Sequence, residues 1–154
     1  MKTRLSLCAA ALLLTSFVSH AQPEYDQYAR GSYIATLADC TACHTADPQQ
    51  PFAGGVRLQT PFGTLVGANI PPDRETGIGN WRYEDFRRAM TEGIGHGGKR
   101  LYGAMPFTAY TKMSDEDLQD LWAWMQTLQP IHNPVETNQL PFPFNIRTSL
   151  MVWN

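Results

Sequence analysis

All 12 glycines of this 154-residue chain fall between positions 31 and 103, leaving none near either end. Between Thr45 and Asn80 they are interleaved with prolines: Pro48, Pro51, Pro61, Pro71 and Pro72 alternate with Gly54, Gly55, Gly63, Gly67, Gly77 and Gly79. Glycine carries the largest backbone entropy into a regular element, and proline lacks the N–H that helices and sheets need. The centre of the chain therefore reads as loop with at most short turns or strands. Loops this long in a compact domain are uncommon and usually functional, so something other than a side-chain core is expected to organise them. The glycines follow no G-X-Y period, which excludes a fibre. Charged residues make up only 17%, against a highly charged disordered chain, and a net charge of −2 argues against a nucleic-acid partner.

Helical patterning flanks this region. Glu24–Asp39 follows Pro23, has Glu24 and Asp26 in its first turn, and spaces Tyr33, Ile34, Leu37 and Ala38 as a helix does. A second helix is predicted over Trp81–Glu92, with Phe86, Ala89 and Met90 on its apolar face and Gly93 at its end. A third starts at Ser114, whose hydroxyl can cap it, and Asp115, Glu116 and Asp117 suit the positive end of its dipole. Its stripe is Leu118, Leu121, Trp122, Met125 and Leu128, and Pro130 stops it. Tyr33, Trp122 and Trp124 suggest that the first and last helices cross, with Gly31 permitting close approach.

Cys40-Thr41-Ala42-Cys43-His44 sits where the first helix gives way to the glycine-rich loops. C-x-x-C-H is the attachment signature of a c-type haem. Thiols at i and i+3 share one face of a helical turn, where each can add to one vinyl group of the porphyrin. The adjacent imidazole then meets the iron from the proximal side. Other readings of the same residues are a disulfide, a thioredoxin-like redox pair and a structural zinc. A thioredoxin site calls for a βαβ context that the patterning lacks, and zinc needs four ligands. Outside the first 21 residues the chain offers only these two cysteines with His44, His96 and His132.

A haem that only shuttles electrons needs a second axial ligand. Met90 and Met125 fall on helix faces, as core residues do; Met113 precedes a helix cap, and Met151 is far along the tail. Met105 lies in a loop before Pro106, about 60 residues past His44, far enough for the chain to round the porphyrin edge. It is the expected distal ligand, with His96 or an open sixth position as alternatives. Trp81 is a candidate donor to a propionate or a core residue, and Lys99-Arg100 a candidate basic patch beside the ligand loop.

At the N-terminus, Lys2 and Arg4 precede an apolar run of 14 residues, Leu5–Val18, and Ser19-His20-Ala21 supplies small residues before Gln22. A membrane span needs about 20 apolar residues, so the run reads as a cleaved signal peptide over 1–21. Export fits the place where c-type haem is attached. The product is expected in the periplasm, soluble or peripheral to the membrane, with a cytochrome domain over 22–132 and an extension over 133–154 that packs on the domain or on a partner.

The stretch Gly31–His44 resembles the haem-attachment helix of class I cytochromes c. More narrowly, it is similar to haem domains in the cytochrome c subunits of bacterial membrane-bound alcohol, aldehyde and gluconate dehydrogenases. The similarity continues through Thr60–Thr64, Gly77–Trp81, Leu101–Phe107, Tyr110–Asp117 and Phe142–Arg147. It implies an all-α cytochrome c fold: three to four helices with long Gly/Pro-rich loops wrapped around one covalent haem c. Cys40 and Cys43 would hold the haem, with His44 proximal and Met105 distal as the iron ligands. It also implies an electron carrier rather than an enzyme, taking electrons from a dehydrogenase catalytic subunit to a membrane quinone system or another cytochrome. A haem enzyme or sensor with a displaceable distal ligand is the alternative. Those subunits usually carry three such domains, whereas one C-x-x-C-H is present here. Gly103 and Arg82 depart from the pattern, standing where a proline and a helix-capping serine are usual.

Overall fold

A computed structural model describes residues 23–150. The expected signal peptide, and Met151, Val152 and Trp153 of the tail, lie outside the described residues. In chain order the elements are α1 (Pro23–Leu37), α2 (Cys40–His44), β1 (Arg57–Thr60), β2 (Gly63–Val66), α3 (Tyr83–Glu92), α4 (Phe107–Tyr110) and α5 (Asp115–Gln126). Short 3₁₀ turns occupy His96–Gly98 and Arg147–Ser149. Among the described residues no helix is long and apolar enough to cross a membrane.

The frame is the crossing of α1 and α5. A Cβ on Gly31 would stand 2.2 Å from the Asp120 carbonyl oxygen and 2.6 Å from Trp124 Cβ, so only glycine permits this approach. Arg30 locks the crossing from its edge, its Nε 2.8 Å from the nearly buried Asp120 carboxylate. Ile34 and Ala35 of α1 pack with Leu118, Leu121 and Met125 of α5, Phe86 and Met90 of α3, and Ile78 from the preceding loop. Met90 and Met125 are core residues, as their helical spacing predicts.

Two residues of α1 depart from expectation. Tyr33 and Leu37 are 63% and 67% exposed rather than part of the crossing. At 100° per residue, Gly31, Ile34, Ala35 and Ala38 form the inward stripe, and Tyr33 and Leu37 fall on the opposite side. There they line a surface groove with Tyr110 and Met113. Of the two tryptophans, Trp124 meets Gly31, whereas Trp122 turns to Phe86 of α3, with ring centroids 5.3 Å apart.

Helix ends follow local chemistry. Ser114 Oγ accepts from the Asp117 N–H at 3.1 Å, capping α5. Gly93 ends α3 in the left-handed conformation (φ 66°), with the Phe107 ring packed where a Cβ would be. Arg82 supplies no side-chain cap to α3; instead the Asp85 carboxylate accepts from the Arg82 N–H at 3.0 Å. α1 stops at Leu37, short of Asp39, because Asp39 is itself left-handed (φ 52°) and restarts the chain as α2 in a new direction.

In the loop region β1 and β2 form an antiparallel hairpin, pairing Arg57 with Val66 through Thr60 with Gly63. Gln139 pairs with Thr64 along the hairpin's free edge.

Candidate cofactor site

Asp39 re-aims the backbone so that α2 presents Cys40 and Cys43 one turn apart. Both are half-buried free thiols, and Cys40 packs against the hydrophobic core. Burial, more than any neighbouring charge, pushes the Cys40 thiol up to about 11. From the core side, the Tyr110 hydroxyl donates to the Ala38 carbonyl at 2.8 Å, tying α4 to the chain just before α2.

His44 is oriented by backbone. Its Nδ1 lies 2.7 Å from the Ala68 carbonyl oxygen. A carbonyl only accepts, so Nδ1 carries the proton and Nε2 keeps its lone pair free for a metal. Burial lowers the His44 pKa, outweighing the Ala68 bond that raises it, so the ring is held neutral, the form that ligates.

Gly67 is why Ala68 can reach. A Cβ there would stand 1.8 Å from the Cys43 carbonyl oxygen, so the chain leaving β2 lies directly on α2. Gly54 N–H donates to the His44 carbonyl at 2.7 Å, and Gly55 N–H to the Gly67 carbonyl at 2.9 Å, closing the loops round the motif. Phe52 holds a left-handed φ of 64°, a strained conformation for a bulky residue. It is fixed by Thr45 Oγ1 on its N–H at 2.9 Å and by edge-on packing of its ring against Trp124 at 5.4 Å.

Met105 is half-buried against the same core as Cys40. Its N–H donates to the Tyr102 carbonyl at 2.9 Å, and its carbonyl accepts from Phe107 N–H at 2.8 Å, making a tight turn round Pro106. His96 is turned elsewhere: half exposed, Nδ1 3.0 Å from Asp85 and stacked on Trp81 with centroids 6.2 Å apart. Trp81 is thus held between the core and His96. Lys99 is exposed, while Arg100 is half-buried and its carbonyl accepts from Arg147. The structure therefore brings Cys40, Met105 and Trp81 onto one core and attaches His44 through Ala68; it leaves His96 outside.

Among the described residues no three His, Cys, Asp or Glu side chains are grouped to hold a bare metal ion. Two free thiols a turn apart, a neutral imidazole with Nε2 free and a glycine cradle against α2 do fit a covalently tethered haem. Gly67 and Ala68 are the site residues that side-chain reasoning misses; their only trace in the sequence is a glycine immediately after an apolar strand.

A family model described as cytochrome c matches residues 28–129. The chain belongs to the cytochrome c family. Its helices and small hairpin give the all-α cytochrome c fold, and membership implies a covalently bound haem c. The cytochrome is 44% identical over 125 residues to a subunit of the nicotinate dehydrogenase of Pseudomonas putida, covering 81% of this chain and 10% of that protein. It is 38% identical over 151 residues to the gluconate 2-dehydrogenase cytochrome c subunit of Pantoea cypripedii, covering 96% and 34%. With the fructose dehydrogenase cytochrome subunit of Gluconobacter japonicus it shares 44% identity over 126 residues, covering 80% and 26%. The chain thus spans between a tenth and about a third of the length of these relatives.

Proposed function

We propose that this cytochrome c carries one haem and works in the periplasm, passing single electrons from a dehydrogenase catalytic subunit to a quinone or cytochrome acceptor. Cys40 and Cys43 form the thioether links, His44 is the proximal ligand and Met105 the distal one. The observation that carries this reading is the His44–Ala68 bond, which leaves Nε2 available next to two free thiols. Met105 is favoured over His96 because it packs on the core that Cys40 touches, while His96 is engaged by Asp85.

When bound, the haem supplies one-electron exchange at its iron. The chain's own residues set how. The Ala68 carbonyl makes His44 a more basic ligand and prevents its ring from rotating. Met105, as a thioether ligand alongside the His44 imidazole, would raise the reduction potential of a bound haem and keep oxygen or peroxide from its iron. Both favour electron transfer over catalysis. The names of the relatives support a dehydrogenase as donor, since each is a subunit of one.

The test is Met105→Ala in haem-loaded protein. The expected result is loss of the sulfur-to-iron charge-transfer band and a lower midpoint potential, with haem still covalent in acidified organic solvent. An unchanged ferric spectrum would overturn thioether ligation and leave a haem enzyme or sensor as the better account.

A further inference from the structure

The segment Gly95–Ala104 leads into Met105; it packs on Trp81 at Gly95 and His96, and its other glycines face open space. A Cβ on Gly97, Gly98 or Gly103 would meet nothing within 4 Å. After Met105 the loop is anchored by buried Phe107 against Gly93. Before Met105, His96 is held by Asp85 and Trp81, and the stretch from Arg100 to Tyr102 is tied to residues more than 40 positions downstream. Arg147 donates to the Arg100 carbonyl and lies over the Tyr102 ring, 4.5 Å from its centroid. The Tyr102 hydroxyl donates to the Phe144 carbonyl at 3.1 Å. Tyr102 is also the residue whose carbonyl accepts from Met105 N–H.

The other end of this extension is tied to the His44 side. Asn69, next to Ala68, donates to the Ile131 carbonyl at 2.7 Å, and Asn133 donates to the Ala53 carbonyl at 2.8 Å. Between the two ends it runs along β2: Thr64 and Gln139 exchange backbone bonds of 3.0 and 2.8 Å, and Asn138 Oδ1 accepts from Val66 N–H at 2.9 Å. The Phe62 and Phe144 rings meet at 4.8 Å.

We propose that residues 131–147 are an internal strap joining the proximal and distal ligand supports, and that Arg147 and Tyr102 are positioning residues for Met105. The inference rests on the reading of Met105 as distal ligand. A loop that must deliver a thioether to iron has to hold its backbone just ahead of Met105, where the Tyr102 carbonyl accepts from the Met105 N–H. A guanidinium bridging a carbonyl and an aromatic face is a clamp there.

The experiment is a titration of the ferric, haem-loaded full chain with imidazole, which competes with Met105 for iron and so reads how firmly the loop is held. Arg147→Ala is expected to raise imidazole affinity about tenfold, from the loss of one charge-assisted bond and one cation–π contact. The charge-transfer band should still be present without imidazole. Arg147→Lys should restore most of the difference, and Tyr102→Phe, which keeps the ring and removes the bond to Phe144, should shift affinity in the same direction by less. Asp120→Ala, on the remote α1–α5 crossing, controls for general destabilisation and should leave imidazole affinity unchanged. Wild-type affinity in Arg147→Ala, or an equal rise in Asp120→Ala, would overturn the strap. A wild-type protein lacking the charge-transfer band would instead overturn the ligand assignment.

Discussion

The two sides of the site are held by different means. On the His44 side the contacts are backbone on backbone: Gly67 against the Cys43 carbonyl, Ala68 on the imidazole, and Gly54 on the His44 carbonyl. On the Met105 side the stretch ahead of the methionine is held by side chains, those of Tyr102 and Arg147 and the His96–Trp81 stack. The comparison teaches that the Cys43–His44 side is set by backbone that a substitution cannot easily move. The Met105 side is left to contacts that can be tuned one at a time.

The largest effect should come from filling the proximal cradle. Gly67→Ala puts a Cβ 1.8 Å from a carbonyl that cannot retreat without moving α2. Overpacking against backbone is costly, so covalent haem per polypeptide is expected to fall by at least about tenfold. Pigment and intact mass measure it, and normal incorporation would show that the cradle yields.

Acid should act next, and on the same side. The Asp73 carboxylate accepts from Thr76 N–H and Thr76 Oγ1, both at 2.7 Å, and these bonds chiefly hold its pKa below the ordinary range. Thr76 Oγ1 in turn accepts from Asn69, the neighbour of Ala68. A carboxylate with a depressed native pKa contributes stability above its unfolded value of about 4, and that contribution disappears as pH falls through the native value. Thermal midpoints between neutral pH and pH 3 should therefore drop on acidification. Asp73→Asn should start lower at neutral pH and fall less steeply; parallel curves would remove Asp73 from the network.

The smallest effect is expected at Gly103, on the distal side. Gly103→Ala meets no neighbour within 4 Å, so stability should change by less than about 0.5 kcal/mol and the charge-transfer band should persist. A large change in denaturation midpoint there would show the loop to be as tightly packed as the proximal cradle, and would erase the contrast.

The helices were legible because their signals are local. Ser114 at a cap, Gly93 past an apolar stripe and the i, i+3 cysteines each act within a turn of the chain, and each stands where its spacing predicts. Gly31 was legible too, since a lone glycine in a helix otherwise rich in larger residues marks a close crossing. The outward turn of Tyr33 and Leu37 was harder. An apolar residue on a helix has two sides available, and only the position of α5 says which is inside.

By itself, then, the sequence determined that two thiols and an imidazole stand together, since residues within five positions are adjacent however the remainder folds. Tertiary structure alone decided which nitrogen of His44 is free and what clamps the Met105 loop. The groups responsible are the Ala68, Arg100 and Phe144 carbonyls. A carbonyl belongs to every residue and leaves no mark in the alphabet. Only the path of the chain, bringing segments 24 and 42–47 positions apart into contact, gives such a group its role.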